Sequence, residues 1–386
     1  MSNTLKMIVR NMRRNLRRTI LTMLTIALAA FIYTVLVSVP ASMDRVIADA
    51  SGTLRLFVVN RTAPWEDLPA RYCDEIEKMP GAAACVGLTG WFATWRNVTD
   101  SILTFGAGPQ IADVFPDYQL SRENVRLAAK ERRAATVGSV LMKKNGWKIG
   151  DHITLKGTDA GHMQMEFIII GTIENKHYPN TFTFRRDYLM ETRKANGMPD
   201  EDIAWNIIVR ANSAADLEPL AKNIDEHFTN SDYETRTMTE SDALASGLSA
   251  LGNIRAIVFA LCAVVVLTVL LIAANSTAMM VRERISEVAV MRSLGFSRGA
   301  ISALLFGECG IIGAGGGLLG SLIALWIFHG GMTLGAALGG NGALWVTPEQ
   351  MLNATFVAIA VSLVSGLVPI IEALRISPAM AFRKVI

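Results

Sequence analysis

The sequence predicts a membrane protein with four transmembrane α-helices and a large α+β extracytoplasmic domain between the first and second. Three observations carry this. The 386 residues are 51% hydrophobic and only 18% charged, too apolar for a soluble chain of this size. Four stretches reach the roughly 20 apolar residues that cross a bilayer: Thr19 to Val39, Ala256 to Met280, about Ala300 to Phe328, and Met351 to Ile371. The first two are separated by some 210 residues of ordinary polarity.

Taken in order, residues 1–18 form a basic amphipathic helix with Leu5, Ile8, Val9, Met12 and Leu16 on one face, suited to lying along a leaflet. Residues 19–40 are span one, expected to be a permanent anchor because no small-residue cleavage site follows it. Pro40 is a candidate kink. Residues 41–250 are the outer domain, entered by a helical stalk through Met43, Val46, Ile47 and Ala50. A second stalk leaves it: Thr239-Glu240-Ser241-Asp242 has the form of a capping box, and no proline intervenes before Met280. The spacing therefore predicts one rod on the order of 60 Å long, weakened at Gly247 and Gly252. Residues 251–281 are span two, 282–298 a connecting helix, 299–328 span three, 329–350 an outer loop, 351–372 span four and 373–386 a tail. Trp326 sits where an aromatic belt residue belongs.

Within the outer domain, Leu54–Val59, Trp91–Arg96, Ile102–Phe105, His152–Lys156, Met165–Ile173, Ile203–Arg210 and Tyr233–Thr237 read as strands. Asp67–Lys78, Val137–Asn145, Arg186–Asn196 and Ala214–Thr229 read as helices. Two small subdomains are expected.

Basic residues orient the chain. Lys6, Arg10, Arg13, Arg14, Arg17 and Arg18 precede span one, and Arg282, Arg284, Arg292 and Arg298 lie between spans two and three, whereas 329–350 has no Lys or Arg. Both termini and the 282–298 segment are thus expected inside. Segment 41–250 holds 29 acids and 23 bases, so the overall charge of +3 belongs to the inner face. A lipid bilayer accounts for that face, and nucleic acid is not an expected partner. Cys262 and Cys309 fall in spans. Cys73 and Cys85 fall outside, where oxidation is possible, but spacing leaves their pairing open.

Catalytic constellations are missing from the sequence. The five histidines are scattered without metal-ligand spacing, and no G-x-x-x-x-G-K-[ST] loop occurs, so no enzyme activity, metal or cofactor is expected on this chain. If ATP drives it, ATP and magnesium belong to a separate subunit.

The richest segment lies between spans two and three. Read as a helix, Val281, Ile285, Val288 and Arg292 share one stripe, while Arg282, Glu283, Arg284 and Ser286 lie elsewhere. Gly295 stands where a C′ glycine ends a helix, and Ser297 is a candidate N-cap for the next. The segment can be read as an ordinary solvated loop or as a handle for a soluble machine. In span three, Glu308 is an ionisable group in an apolar setting, and Asn275 or Ser276 on span two are its candidate partners. Gly313–Gly317 and Gly316–Gly320 are two G-x-x-x-G pairs, which allow close helix approach, either within one subunit or at a seam between two.

Glu283-Arg284, Glu287 to Ser297, the run from Glu308 through its glycines, and Arg375-Ile376-Ser377-Pro378-Ala379-Met380-Ala381-Phe382-Arg383 resemble segments of the MacB/FtsX-type (type VII, mechanotransmission) family of ABC transporter permeases. Val137-Gly138-Ser139 through Asp151, then Phe167 to Gly171, are similar to that family's periplasmic core. The run Val368 to Ala373 departs from the family's usual Pro-Ala-x-x-Ala-Ala pattern. The resemblance implies a bacterial inner-membrane permease that couples ATP hydrolysis by a separate ABC ATPase to movement of its outer domain. It also implies a second permease copy or paralogue. The candidate coupling residues are Arg282, Glu283, Arg284, Glu287, Val288, Met291, Arg292, Leu294 and Gly295; those for intramembrane packing are Asn275, Glu308, Gly313, Gly316, Gly317 and Gly320. Export or extraction with a periplasmic adaptor or membrane-fusion protein is one expectation. A signalling scaffold that activates a cell-wall hydrolase is the alternative. The larger outer domain favours the first.

Overall fold

The computed structural model describes residues 10, 14, 16–64, 66–96, 101–158, 163–174, 178–199, 202–250, 252–330, 332–333 and 343–375. The amphipathic face expected over residues 2–18, most of the tail and the centre of the 329–350 loop lie outside these. Contacts divide the chain into a membrane unit (1–42, 253–332, 344–386) and an inter-span domain (43–252, 333–343).

The membrane unit has four helices long and apolar enough to cross a bilayer: Leu16–Ala50, Ile254–Glu283, Arg298–Phe328 and Pro348–Arg375. The first continues without interruption through Pro40 to Ala50, as the apolar period past Met43 suggests. The expected rod into span two is not continuous. One helix runs Glu240–Ala250 and another starts at Ile254. Between them Gly252 takes φ +88°, and the Asn253 side chain accepts from the Ala256 amide at 3.0 Å as a new N-cap. A capping asparagine after a left-handed glycine ends one helix and begins another, and this local signal overrides the absence of proline. Thr239 caps the first of the two, accepting from the Asp242 amide at 3.2 Å.

The inter-span domain is α+β. Its strands are β1 (Arg55–Asn60), β2 (Leu68–Pro69), β3 (Ala82–Thr94), β4 (Ser101–Ala107), β5 (Ala134–Gly138), β6 (His152–Gly157), β7 (Gln164–Ile173), β8 (Phe182–Arg185), β9 (Ile203–Ala204), β10 (Asn206–Ala211) and β11 (Thr235–Thr239). Nine of them form one sheet in the order β11-β1-β10-β3-β4-β8-β5-β7-β6. Strand β3 is long enough to serve two subdomains. Ala82 to Leu88 pair with β10, Leu88 to Thr94 pair with β4, and Ala93 and Thr94 also pair with β6. That last pairing closes β3-β4-β8-β5-β7-β6 into a ring and removes its edges.

The ring is filled by Trp91, Leu155, Phe167, Ile169, Phe182 and Phe184. On the open half, Leu56, Val58, Ile207 and Val209 pack against Tyr72 and Ile76 of one helix and Leu220 and Ile224 of another. Each such fully buried side chain stabilises by about 1.5–3 kcal/mol. Cys73 and Cys85 are disulfide-bonded with Cα atoms 5.6 Å apart, joining the Tyr72–Ile76 helix to β3.

Several elements differ from the sequence reading: β3 begins at Ala82 and not Trp91, and β8 and the helix Arg122–Lys130 are additions to it. Strand β5 is buried at every position and pairs in parallel with β7, so it lacks the alternation that marks a half-exposed strand. Read from Val137, it merges with the helix Ser139–Asn145 that follows. Ile203–Arg210 is two strands, β9 paired with β2 and β10 with β1 and β3. Asp67–Lys78 is helical only over Tyr72–Ile76.

A buried polar node joins the two ends of this domain. Arg55 opens β1, just after the first stalk, and Glu240 opens the second. Arg55 Nε donates to Glu240 Oε2 at 2.7 Å, and its Nη1 and Nη2 donate to the two Asp117 oxygens at 2.7 and 3.1 Å. Nη2 also donates to Tyr178 Oη at 2.8 Å; Tyr178 in turn donates to Glu240 Oε1 at 3.0 Å. The Arg55 guanidinium lies 4.7 Å from the Phe115 ring centre. Burial first, and the adjacent Glu240 charge second, push the Tyr178 phenol well above its ordinary pKa. Burial does the same to Tyr118.

Removing one partner leaves the other charge buried, so Arg55→Met or Glu240→Gln is expected to destabilise the domain by about 3–5 kcal/mol. The tryptophans Trp65, Trp91, Trp95, Trp147 and Trp205 all lie here, so fluorescence-detected unfolding in detergent reads the loss. Because both phenols are raised in the folded state, the folded chain keeps protons that the unfolded chain loses. Stability should hold below pH of about 10 and fall as pH rises beyond it. Tyr178→Phe should flatten that decline.

Candidate functional site

The segment joining spans two and three is built by local signals. Span two ends at Glu283, Arg284 turns the chain, and a helix runs Ile285–Ser293. Gly295, at φ +90°, donates to the Arg292 carbonyl at 3.1 Å and Phe296 to the Met291 carbonyl at 3.1 Å, the paired bonds of a Schellman stop. Ser297 accepts from the Ala300 amide at 3.1 Å and starts span three. Both terminus signals act where the sequence places them.

Arg284 is not on the exposed surface of this segment. It is buried, and its Nη1 donates to both Glu308 oxygens at 2.6 and 2.8 Å; the side chains are 8% and 2% exposed. Glu308 is therefore held by a cation on the connecting segment, not by Asn275 or Ser276. Asn275 is exposed, and Ser276 shares a hydrogen bond with Thr22 at 2.8 Å. The pairing across 24 residues follows from geometry that helical periodicity cannot display. Arg284 sits in the turn between helices, and the chain returns along span three past it.

Further contacts tie the connecting helix to the bundle. Glu283 pairs with Arg18, and Glu287 with Arg14 at 2.5 Å. Arg292 Nη1 donates to the Leu374 carbonyl at 3.2 Å, at the end of span four. Val288 is buried with Met280, Val281, Ile301, Leu305 and Ile370, and Met291 packs at the edge of that cluster. Arg282 and Gly295 are exposed. Leu294 is 72% exposed, and Val290 and Phe296 are exposed beside it. Val290 and Phe296 were missed by the sequence reading. Apolar residues off the Val281–Ile285–Val288 stripe were the available signal.

The glycines of span three serve two neighbours. A Cβ on Gly313 would lie 2.6 Å from Ser362 Oγ, and one on Gly317 2.9 Å from Ala358 Cβ, both on span four. A Cβ on Gly316 would lie 2.8 Å from the Met23 carbonyl oxygen, and one on Gly320 would overlap the Ala27 carbonyl, both on span one. The two G-x-x-x-G pairs thus face different helices of the same chain. In lipid, where apolar side chains gain little by leaving the solvent, this backbone proximity supplies the packing.

The FtsX-like permease C-terminal family model matches residues 258–378, which contain the connecting helix, Glu308 and the glycines. The MacB-like periplasmic core domain model matches residues 19–227, more than half of the chain. The chain belongs to the MacB/FtsX-type family of ABC transporter permeases. A curated relative is the uncharacterized ABC transporter permease YknZ of Bacillus subtilis (strain 168), 24% identical over 188 residues. That alignment covers 46% of this chain and 44% of YknZ, so the chain spans less than half of that relative. Among solved structures, the extracellular domain of the noncanonic ABC-type transporter YknZ from Gram-positive bacteria is 14% identical, with TM-score 0.36, covering 48% of this chain and 99% of that one. The periplasmic region of MacB from Actinobacillus actinomycetemcomitans is 13% identical, with TM-score 0.35, covering 51% and 94%. A domain of a permease protein from Porphyromonas gingivalis is 13% identical, with TM-score 0.31, covering 48% and 88%.

Two outcomes are expected in this permease. Arg284→Met and Glu308→Leu should each destabilise it by about 3–5 kcal/mol, and the double variant by clearly less than their sum. Thermal unfolding of the three variants in detergent measures this. On span three, Gly320→Ala should cost at least about 1–3 kcal/mol through overpacking. Gly310→Ala, whose Cβ would make an ordinary 3.7 Å contact with Leu363, should be neutral or stabilising through the better helix propensity of alanine.

Proposed function

We propose that this permease couples ATP hydrolysis on a separate ABC ATPase to movement of its inter-span domain, and that the 282–298 segment is the coupling helix. One observation carries the reading. Val290 and Leu294, one helical turn apart, and Phe296 just beyond them are exposed apolar residues; Arg282 and Arg298 at the two ends of the segment are exposed as well, and the segment is fastened to the bundle through Arg284–Glu308 and Arg292–Leu374. A rigid apolar knob with a cationic rim is suited to a groove on a soluble subunit. Glu283, Arg284, Glu287, Val288 and Arg292 then act behind that surface, holding it in place.

In this reading the ATPase carries ATP and magnesium, and this chain has no catalytic role. Basic residues before span one and between spans two and three support a topology with both termini in the cytoplasm and the α+β domain outside the inner membrane. The permease works as a pair with a second copy or a paralogue. Its outer domain exports or extracts a substrate together with a periplasmic adaptor. Because Gly252 interrupts the helix into span two, the outer domain is driven through the Arg55–Glu240 node that joins both stalk ends, not along one rod.

Val290→Glu with Leu294→Glu should abolish recovery of the ATPase with the affinity-purified permease, while membrane insertion and monodispersity stay intact. The ATPase co-purifying in undiminished amount would contradict the assignment.

A further inference from the structure

The inter-span domain contains a cavity of about 650 Å³, within the range of small-molecule sites. It lies between the ring and the open half of the sheet. One wall comes from the disulfide-stapled Tyr72–Ile76 helix, and the opposite one from the helices Arg122–Lys130 and Arg186–Ala195. Its floor is made of small side chains, including Gly87, Ala107, Gly108, Ala134 and Ala135, and apolar contacts come from Val86, Leu120, Ile170 and Met190. The small residues keep the space open; larger ones at the same positions would fill it.

The charges around the cavity do not balance. Arg185 is paired with Asp187, and Arg186 with Asp202 at 2.6 Å and the Ile203 carbonyl at 2.7 Å. Glu191 is paired with Arg132. Asp74 and Glu77 remain, both exposed and separated by one helical turn on the same wall. Among the described residues neither has a salt-bridge partner; Glu77 accepts only the Cys85 amide, at 3.2 Å. The lining arginines are spent on their own carboxylates, so the lining itself, with Arg185 and Arg186 against Asp74, Glu77, Asp187, Glu191 and Asp202, carries a net negative charge.

We propose that this cavity binds an amphipathic cation, its apolar body over the alanine floor and its positive group at Asp74 and Glu77. This deepens the transport reading by naming a substrate class, and it rests on that reading only for the substrate's fate, not for its binding. The site needs no nucleotide and no second subunit.

The test uses the full chain in phosphatidylcholine nanodiscs, with no ATPase or nucleotide present. Rhodamine 6G is the cationic probe and 1-anilinonaphthalene-8-sulfonate the anionic one. Fluorescence anisotropy should show saturable rhodamine 6G binding above that of empty discs. Asp74→Asn with Glu77→Gln should weaken it about threefold at low salt, in keeping with a screened, exposed pair of charges, and should not weaken the anionic probe. Ala128→Trp, on a half-buried lining position, should abolish rhodamine binding by filling the space. Ala112→Phe on another wall serves if the tryptophan variant fails to give a folded circular-dichroism spectrum. Rhodamine binding equal to that of empty discs, or unaffected by either the charge or the filling variants, overturns the proposal. A permease that binds the dye but recovers no ATPase would count against the coupling assignment alone.

Discussion

One carboxylate in an apolar bundle constrains the rest of the membrane unit. Glu308 is 2% exposed, on a helix otherwise free of charge between Arg298 and the loop beyond Phe328. An ionised group there is costly unless a cation meets it, and Arg284 meets it in a salt bridge. Satisfying Glu308 therefore fixes where the chain turns between spans two and three. It also orients the helix that follows, so that Val288 faces inward and Val290 and Leu294 outward. A geometry that begins as an electrostatic necessity ends as a defined surface.

Backbone proximity holds the remaining helices. Span three presents alternate glycine pairs to spans one and four, and hydrogen bonds such as Ser321 to Thr355 at 3.1 Å accompany the close approach. The inter-span domain is stabilised differently, by a conventional apolar core, a closed ring of strands and one disulfide. Its buried ion pair is placed where both stalk ends enter. Among the described residues, each part of the molecule has one arginine–carboxylate pair buried on both sides, and in each the arginine sits at the boundary of an element.

The sequence disclosed what depends on neighbouring residues. Hydropathy marked the four spans, Gly295 the end of the connecting helix, Ser297 the start of span three, and alternation β6 through Ile153 and Leu155. What depends on distant residues was hidden. Strand β5 is buried on both faces and has no period to read. The break at Gly252–Asn253 was visible as a weak glycine but looked minor without the cap that follows it. Arg284 appeared to be a surface charge because helical periodicity says nothing about a turn residue, and its partner lies on the next span. The cavity beside the disulfide arises from alanines scattered over several strands and helices, a pattern with no linear signature.

The account stands on the connecting helix being fixed by the Arg284–Glu308 pair, since a mobile helix could not present a defined surface to an ATPase. The most direct measurement is the distance distribution between spin labels at Ser293 and Leu322, with Cys262 and Cys309 replaced by alanine, in the presence and absence of Glu308→Gln. The account predicts one narrow distribution for the native pair and a broad or shifted one when the carboxylate is neutralised. A distribution unchanged by Glu308→Gln would mean that packing alone holds the helix, and the ion pair would lose its place at the centre of the account.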